Sequence, residues 1–116
     1  MIRSIPLVVV MALTLPGLAF AHAKITTTVP ADGDFVRAPE ELVLSFDNDV
    51  QLTGVELKTV EGDSRDVGDV STDRAKTFTV SVPQTLPPGE YYLIWRCIAS
   101  DSHFSTGEFF FTVVAD

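Results

Sequence analysis

Only two histidines occur in this chain of 116 residues. One, His103, follows Asp101 with a single residue between them, in the polar stretch 100–106 that separates two apolar runs. In an extended segment, side chains two apart point the same way, so this carboxylate and imidazole can face one point in space. The other, His22, stands directly after Ala19-Phe20-Ala21, the small-x-small pattern at which signal peptidase cuts. A histidine freed there offers both its amine and its ring as donors. In free peptides these titrate near pH about 8 and about 6.5, so losing both protons costs little near neutrality. His103 would add a third nitrogen and Asp101 an oxygen, and such a set in a tetragonal plane suits Cu(II), which tops the divalent affinity series. Zinc would accept the same ligands but prefers a tetrahedron. Two histidines and a carboxylate also match the non-haem iron triad, but that pattern has no use for a free amine. A lone D-x-H is commonly a plain hydrogen bond or surface pair. Its coincidence with His22, in a chain with no other histidine, raises it above that.

The rest of the composition says what frames these residues. Residues 1–21 read as a secretory signal: Arg3 supplies a positive start and an apolar run follows, interrupted by Pro16-Gly17. The run is short for a membrane span, and Pro-Gly followed by A-x-A favours cleavage and no stable membrane insertion afterwards. Residues 22–116 then form one small domain of 95 residues with His22 at its head. Losing Arg3 leaves seven Lys/Arg against sixteen Asp/Glu, a net charge of −9. That balance excludes nucleic acid and anionic membrane surfaces as partners, since both need a basic patch, and it raises the local concentration of cations. Cys97 is the one cysteine, so no internal disulfide forms and the fold must stand on its core. It shares strand parity with Tyr91, Leu93 and Trp95 and reads as a small buried hydrophobe, with a soft copper ligand or redox partner as the sharper alternative.

The apolar period is two almost throughout, with no convincing amphipathic helix. Ile25, Thr27 and Val29 mark a first strand, and Pro30 to Gly33 is turn chemistry. Leu42, Leu44 and Phe46 mark a second, which Asp47-Asn48-Asp49 is expected to break. Val55 and Leu57 mark a third, a weak polar fourth is expected over 65–70, and Phe78, Val80 and Val82 mark a fifth. After Pro87-Pro88-Gly89 a long sixth runs over 90–99, and a seventh over 108–114. Seven short strands in about 95 residues predict an all-β, immunoglobulin-like Greek-key β-sandwich. If each strand reverses the last, every even-numbered strand finishes where the first begins, so the loop after the sixth, 100–106, is expected beside His22.

Three segments, HAKITTTVPADG, APEELVLSF and LPPGEYYLIWRCIASDSHFSTGEFFFTV, resemble the CopC family of periplasmic copper-binding, copper-resistance proteins over nearly all of 22–116. The pairing of His22 with W-R-x-x-x-x-D-x-H-x-x-x-G is a fairly specific part of the likeness. The resemblance implies Cu(II) bound by the amine and ring of His22, by Asp101 and by His103. It implies sequestration, resistance or delivery of copper in the periplasm, with an inner-membrane copper importer or another carrier as partner. It implies no enzymatic activity. There are departures. The family usually has D-G-H-P, where Ser102 and Phe104 stand here, a change that bears on the loop backbone. Some members hold Cu(I) in a Met-rich loop, whereas Met1 and Met11 both lie in the leader, implying a Cu(II) site alone. Some place a glutamate near the copper just after the second strand. The matching position is Asn48, flanked by Asp47 and Asp49. Two rivals stand beside this reading. An N-terminal histidine with a second histidine also resembles the copper site of lytic polysaccharide monooxygenases, although an Asp ligand and so small a domain argue against that enzyme. The other rival is an immunoglobulin-like interaction module without metal.

Overall fold

The computed structural model describes residues 23–115. The leader, His22 and Asp116 lie outside the described residues, so the expected cleavage point and the position of His22 lie outside them too. Seven strands follow in order: β1 (Ile25–Val29), β2 (Asp34–Val36), β3 (Glu41–Thr59), β4 (Ser64–Arg65), β5 (Ala75–Ser81), β6 (Gly89–Ile98) and β7 (Phe104–Val113). They build a β-sandwich, as the alternation predicts. One sheet is β1–β3–β5 and the other is β4–β3–β6–β7–β2, so β3 belongs to both.

The largest difference from the sequence-based expectation lies in β3. The second and third expected strands are two arms of one strand of 19 residues. Asp47-Asn48-Asp49 does not end it. These three residues are exposed where the strand crosses from one sheet to the other, and the pairing with β5 is irregular between Ser45 and Val50. An exposed corner needs no apolar side chains, so it reads as a loop. A second irregularity, between Leu52 and Gly54 in the pairing with β6, is a bulge that changes which parity faces inward. Leu42, Leu44, Phe46, Val50 and Leu52 are buried before it, and Leu57 and Thr59 after it.

Other boundaries also differ. The polar fourth strand shrinks to Ser64–Arg65. The short β2 was not anticipated; it pairs parallel with β7, a partner far away in sequence. The seventh strand begins at Phe104 rather than 108, because the hairpin ladder continues through Cys97↔Ser105 to Ile98↔Phe104.

The core lies between the sheets. Tyr91, Leu93, Trp95 and Cys97 all point inward from β6, and Phe109, Phe111 and Val113 from β7. Edge-to-face aromatic contacts fill one end, with Phe46 5.1 Å from Trp95 at 87° and 6.0 Å from Phe78 at 81°, the arrangement that ring quadrupoles favour. Opposite Trp95 on β7 sits Gly107. A Cβ added there would lie 2.4 Å from Trp95 Cζ2, far inside van der Waals contact. The indole lies over that glycine, and neither can enlarge without moving the hairpin. Gly107→Ala is therefore expected to destabilise the fold by about 1–3 kcal/mol, read by denaturant unfolding followed through Trp95 fluorescence. An unchanged midpoint would mean that the ring shifts freely and the close approach does not matter.

Candidate metal centre

β3 also determines what meets at one pole of the sandwich. Its first arm runs up to the corner and pairs Phe46 with Ile25 at the start of β1. Its second arm runs away from the corner and pairs Gln51 with Ile98 at the end of β6. These anchor points lie five residues apart on β3, at most roughly 18 Å of extended chain. The head of β1 and the β6–β7 loop are therefore anchored close together on β3, by the corner of that strand and not by the alternation argument, whose second and third strands do not reverse but are arms of one strand.

The loop is shorter and tighter than 100–106. Ile98↔Phe104 is the last ladder pair, leaving 99–103 to turn. The Ala99 N–H donates to the His103 carbonyl at 2.9 Å, and the Ser102 N–H donates to the Ala99 carbonyl at 3.0 Å. Asp101 Oδ1 accepts the His103 N–H at 3.1 Å, an Asx-turn in which a side chain replaces a backbone acceptor. Its other oxygen, Oδ2, meets His103 Nδ1 at 2.7 Å. Asp101 and His103 are thus brought together, but by a turn rather than by the strand parity that suggested them.

The contact has an electrostatic consequence. Hydrogen bonds from the His103 side chain and backbone hold the Asp101 carboxyl below its ordinary range. A depressed carboxylate contributes stability above its unfolded pKa and loses it as pH falls through the folded value. Asp101 therefore stays ionised through mildly acid conditions and is present as a charged oxygen donor. With Nδ1 engaged by Asp101, the ring nitrogen turned away from the carboxylate is Nε2.

Ser102 carries the loop's strain. Its φ is +70°, in the left-handed region that costs a non-glycine residue roughly 1–2 kcal/mol. The glycine usual at this position in the resembled family would adopt it without penalty, so the backbone turn survives the departure and serine bears the cost. Phe104 is 80% exposed beside His103.

Among the described residues, no group of three or more His, Cys, Asp or Glu side chains is placed to hold a metal. Asp101 and His103, two of the three expected donors, lie together, and the third, His22, falls outside the described residues. Cys97 is fully buried and burial pushes its thiol pKa up, so it remains a protonated core residue and a poor ligand. Asp47, not among the expected ligands, accepts the Lys24 N–H at Oδ1, at 3.1 Å, and donates its own N–H to the Lys24 carbonyl at 2.9 Å.

With this geometry in hand, comparison with known proteins is direct. The CopC domain profile matches residues 25–114. Copper resistance protein C of Escherichia coli is 32% identical over 82% of this chain and 83% of its own length. Copper resistance protein C of Xanthomonas campestris pv. juglandis is 32% identical over 96% of each. Among solved structures, PcoC, a methionine-rich copper resistance protein from E. coli, superposes with a TM-score of 0.65 at 29% identity, covering 80% of this chain and 99% of that one. CopC from Methylosinus trichosporium OB3b superposes with a TM-score of 0.68 at 25% identity, covering 79% and 93%. The chain belongs to the CopC family.

Ser102→Gly is expected to raise stability by up to about 1 kcal/mol, the relief of the left-handed strain less the extra freedom of glycine in the unfolded chain. Chemical denaturation measures it, and a loss of stability would show that the serine side chain is itself needed in the turn.

Proposed function

We propose that this protein is a non-catalytic periplasmic binder of copper that captures one Cu(II) through the processed His22, Asp101 and His103. The observation that carries this reading is the convergence at one pole: the preformed Asp101–His103 pair and the head of β1 are both anchored to the corner of β3. The copper resistance proteins to which the chain is similar support copper as the ion, and the donor chemistry supports the cupric state. His22, freed by signal cleavage, supplies amine and ring, His103 supplies Nε2, and Asp101 an oxygen. Capture exchanges the 2.7 Å Asp101–His103 side-chain contact for two bonds to the ion. The His103 N–H bond to Asp101 Oδ1 can persist and keep both donors in place. Sequestration and resistance follow from capture, and delivery requires a second protein, an inner-membrane importer or another carrier.

His22→Ala, Asp101→Ala and His103→Ala should each weaken Cu(II) binding by at least tenfold in competition with a chelator. Electron paramagnetic resonance of the processed protein with one equivalent of Cu(II) should show hyperfine structure from several nitrogens, and a spectrum without it would remove the site. Retaining one residue ahead of His22 converts the amine to an amide, so equal affinity in that variant would exclude the amine as a ligand.

Binding should also fade as pH falls toward 5, because protons compete for the amine and imidazole nitrogens. Asp101, held ionised by His103, does not drive this loss. The expected midpoint is therefore above the carboxylate range, and a titration flat from pH 8 to 5 contradicts the nitrogen-rich set.

A further inference from the structure

We propose that Asp47 is a positioning residue for metal capture: its carboxylate fixes the segment that carries His22 and so pre-organises the terminal ligand. The inference rests on the reading of His22 as a ligand, and goes beyond it in assigning a role to a residue outside the donor set.

The β1–β3 ladder is weak where it matters. Ile25↔Phe46 is its first pair, and the register slips immediately afterwards, between Ile25 and Thr27. A bulge one residue into a strand leaves its leading end poorly held, and chain ends fray unless tied down. Here two ties act ahead of Ile25. Ala23 is buried in the core, at 7% exposure. Lys24 is gripped at both of its backbone groups by Asp47, its carbonyl by the Asp47 N–H at 2.9 Å and its N–H by Asp47 Oδ1 at 3.1 Å. The first of these bonds would survive with any non-proline residue at 47. The second needs a side-chain acceptor of this length. His22 is joined directly to Ala23, so freedom at Lys24 becomes freedom of the amine and ring. A ligand already held in place forfeits less entropy on binding than one that must be ordered by the ion.

The test uses the processed protein beginning at His22, with Cu(II) affinity measured by chelator competition and read from quenching of Trp95. Asp47→Ala should weaken binding about tenfold, in keeping with the loss of one charge-assisted hydrogen bond. Asp47→Asn, whose amide oxygen can still accept the Lys24 N–H, should stay within about threefold of wild type. In a His22→Ala protein whose terminal amine is acetylated, Asp47→Ala should add nothing, because neither ring nor free amine is left to position. In the metal-free protein, amide exchange at Lys24 should accelerate in Asp47→Ala. The proposal is overturned if Asp47→Ala binds as wild type does, if it costs as much when the terminal ring and free amine are both removed, or if Lys24 exchange is unchanged. Wild-type protein that takes up no stoichiometric Cu(II) would instead bring down the metal reading, and the positioning role with it.

Discussion

One strand serves two sheets, and the position of every polar group at the proposed site follows from that sharing. β3 lends its first arm to β1 and β5 and its second to β4 and β6. A strand whose register slips by one residue turns its core face to solvent, so each arm is pinned by what it buries: Leu42, Leu44 and Phe46 on one side of the corner, Leu52 and Leu57 on the other. Once both arms are pinned, β1 can begin only near Phe46 and β6 can end only near Gln51. The distance between the two halves of the proposed site is thus a property of core packing. The loop contributes local geometry but does not decide where it stands.

The same logic divides the motif W-R-x-x-x-x-D-x-H-x-x-x-G into parts with different tasks. Trp95 and Gly107 face each other across the hairpin and, with Phe46, make a solid floor beneath the pole. Arg96 points to the opposite face and pairs with Glu56 at 3.0 Å, an exposed ion pair of the kind that contributes little to stability. Asp101 and His103 occupy the tip. The spacing between tryptophan and glycine is therefore a hairpin constraint: with Trp95 opposite Gly107 and the ladder closing at Ile98↔Phe104, only five residues remain to form the turn, and D-x-H is the part that folds back on itself. A longer or shorter turn would carry the donors off the floor or unseat the indole.

Much of this was legible in the alternation of side chains. β5 and β6 follow from parity, as does the burial of Cys97 among Tyr91, Leu93 and Trp95; β1 stands where its alternation placed it, but the register shift after Ile25 breaks that alternation and leaves Thr27 and Val29 exposed. What escaped has a physical pattern. The continuity of β3 was hidden because Asp47-Asn48-Asp49 is exposed where the chain changes sheets, and an exposed strand and a loop have similar compositions. β2 is three residues long and its partner is far away in sequence. The start of β7 was hidden because Ser105 and Thr106 leave no apolar alternation to detect and Gly107 must be small beneath Trp95. At the pole, the pairing of Asp101 with His103 was visible as a spacing, although an Asx-turn brings them together rather than an extended strand. The tie between Asp47 and Lys24 spans 23 residues and is a tertiary hydrogen bond, which no local pattern announces.

In the proposed reading, the choice of ion rests as much on what the sandwich hides as on what it offers. Soft sulfur donors select Cu(I), whereas nitrogen and oxygen donors suit Cu(II). The one cysteine is buried in the core with its thiol pKa raised, and both methionines fall in the first 21 residues, in contrast to the methionine-rich PcoC whose fold this chain shares. No sulfur is therefore presented at the pole by the described residues. What remains there is a carboxylate kept ionised by the histidine beside it, within a domain whose net negative charge draws cations of any kind. The general field cannot discriminate among metals, so in this reading discrimination must come from nitrogen count and planar geometry. That puts the burden on the terminal residue, which would bring two of the three nitrogens, and on the corner of β3 that holds the chain leading to it.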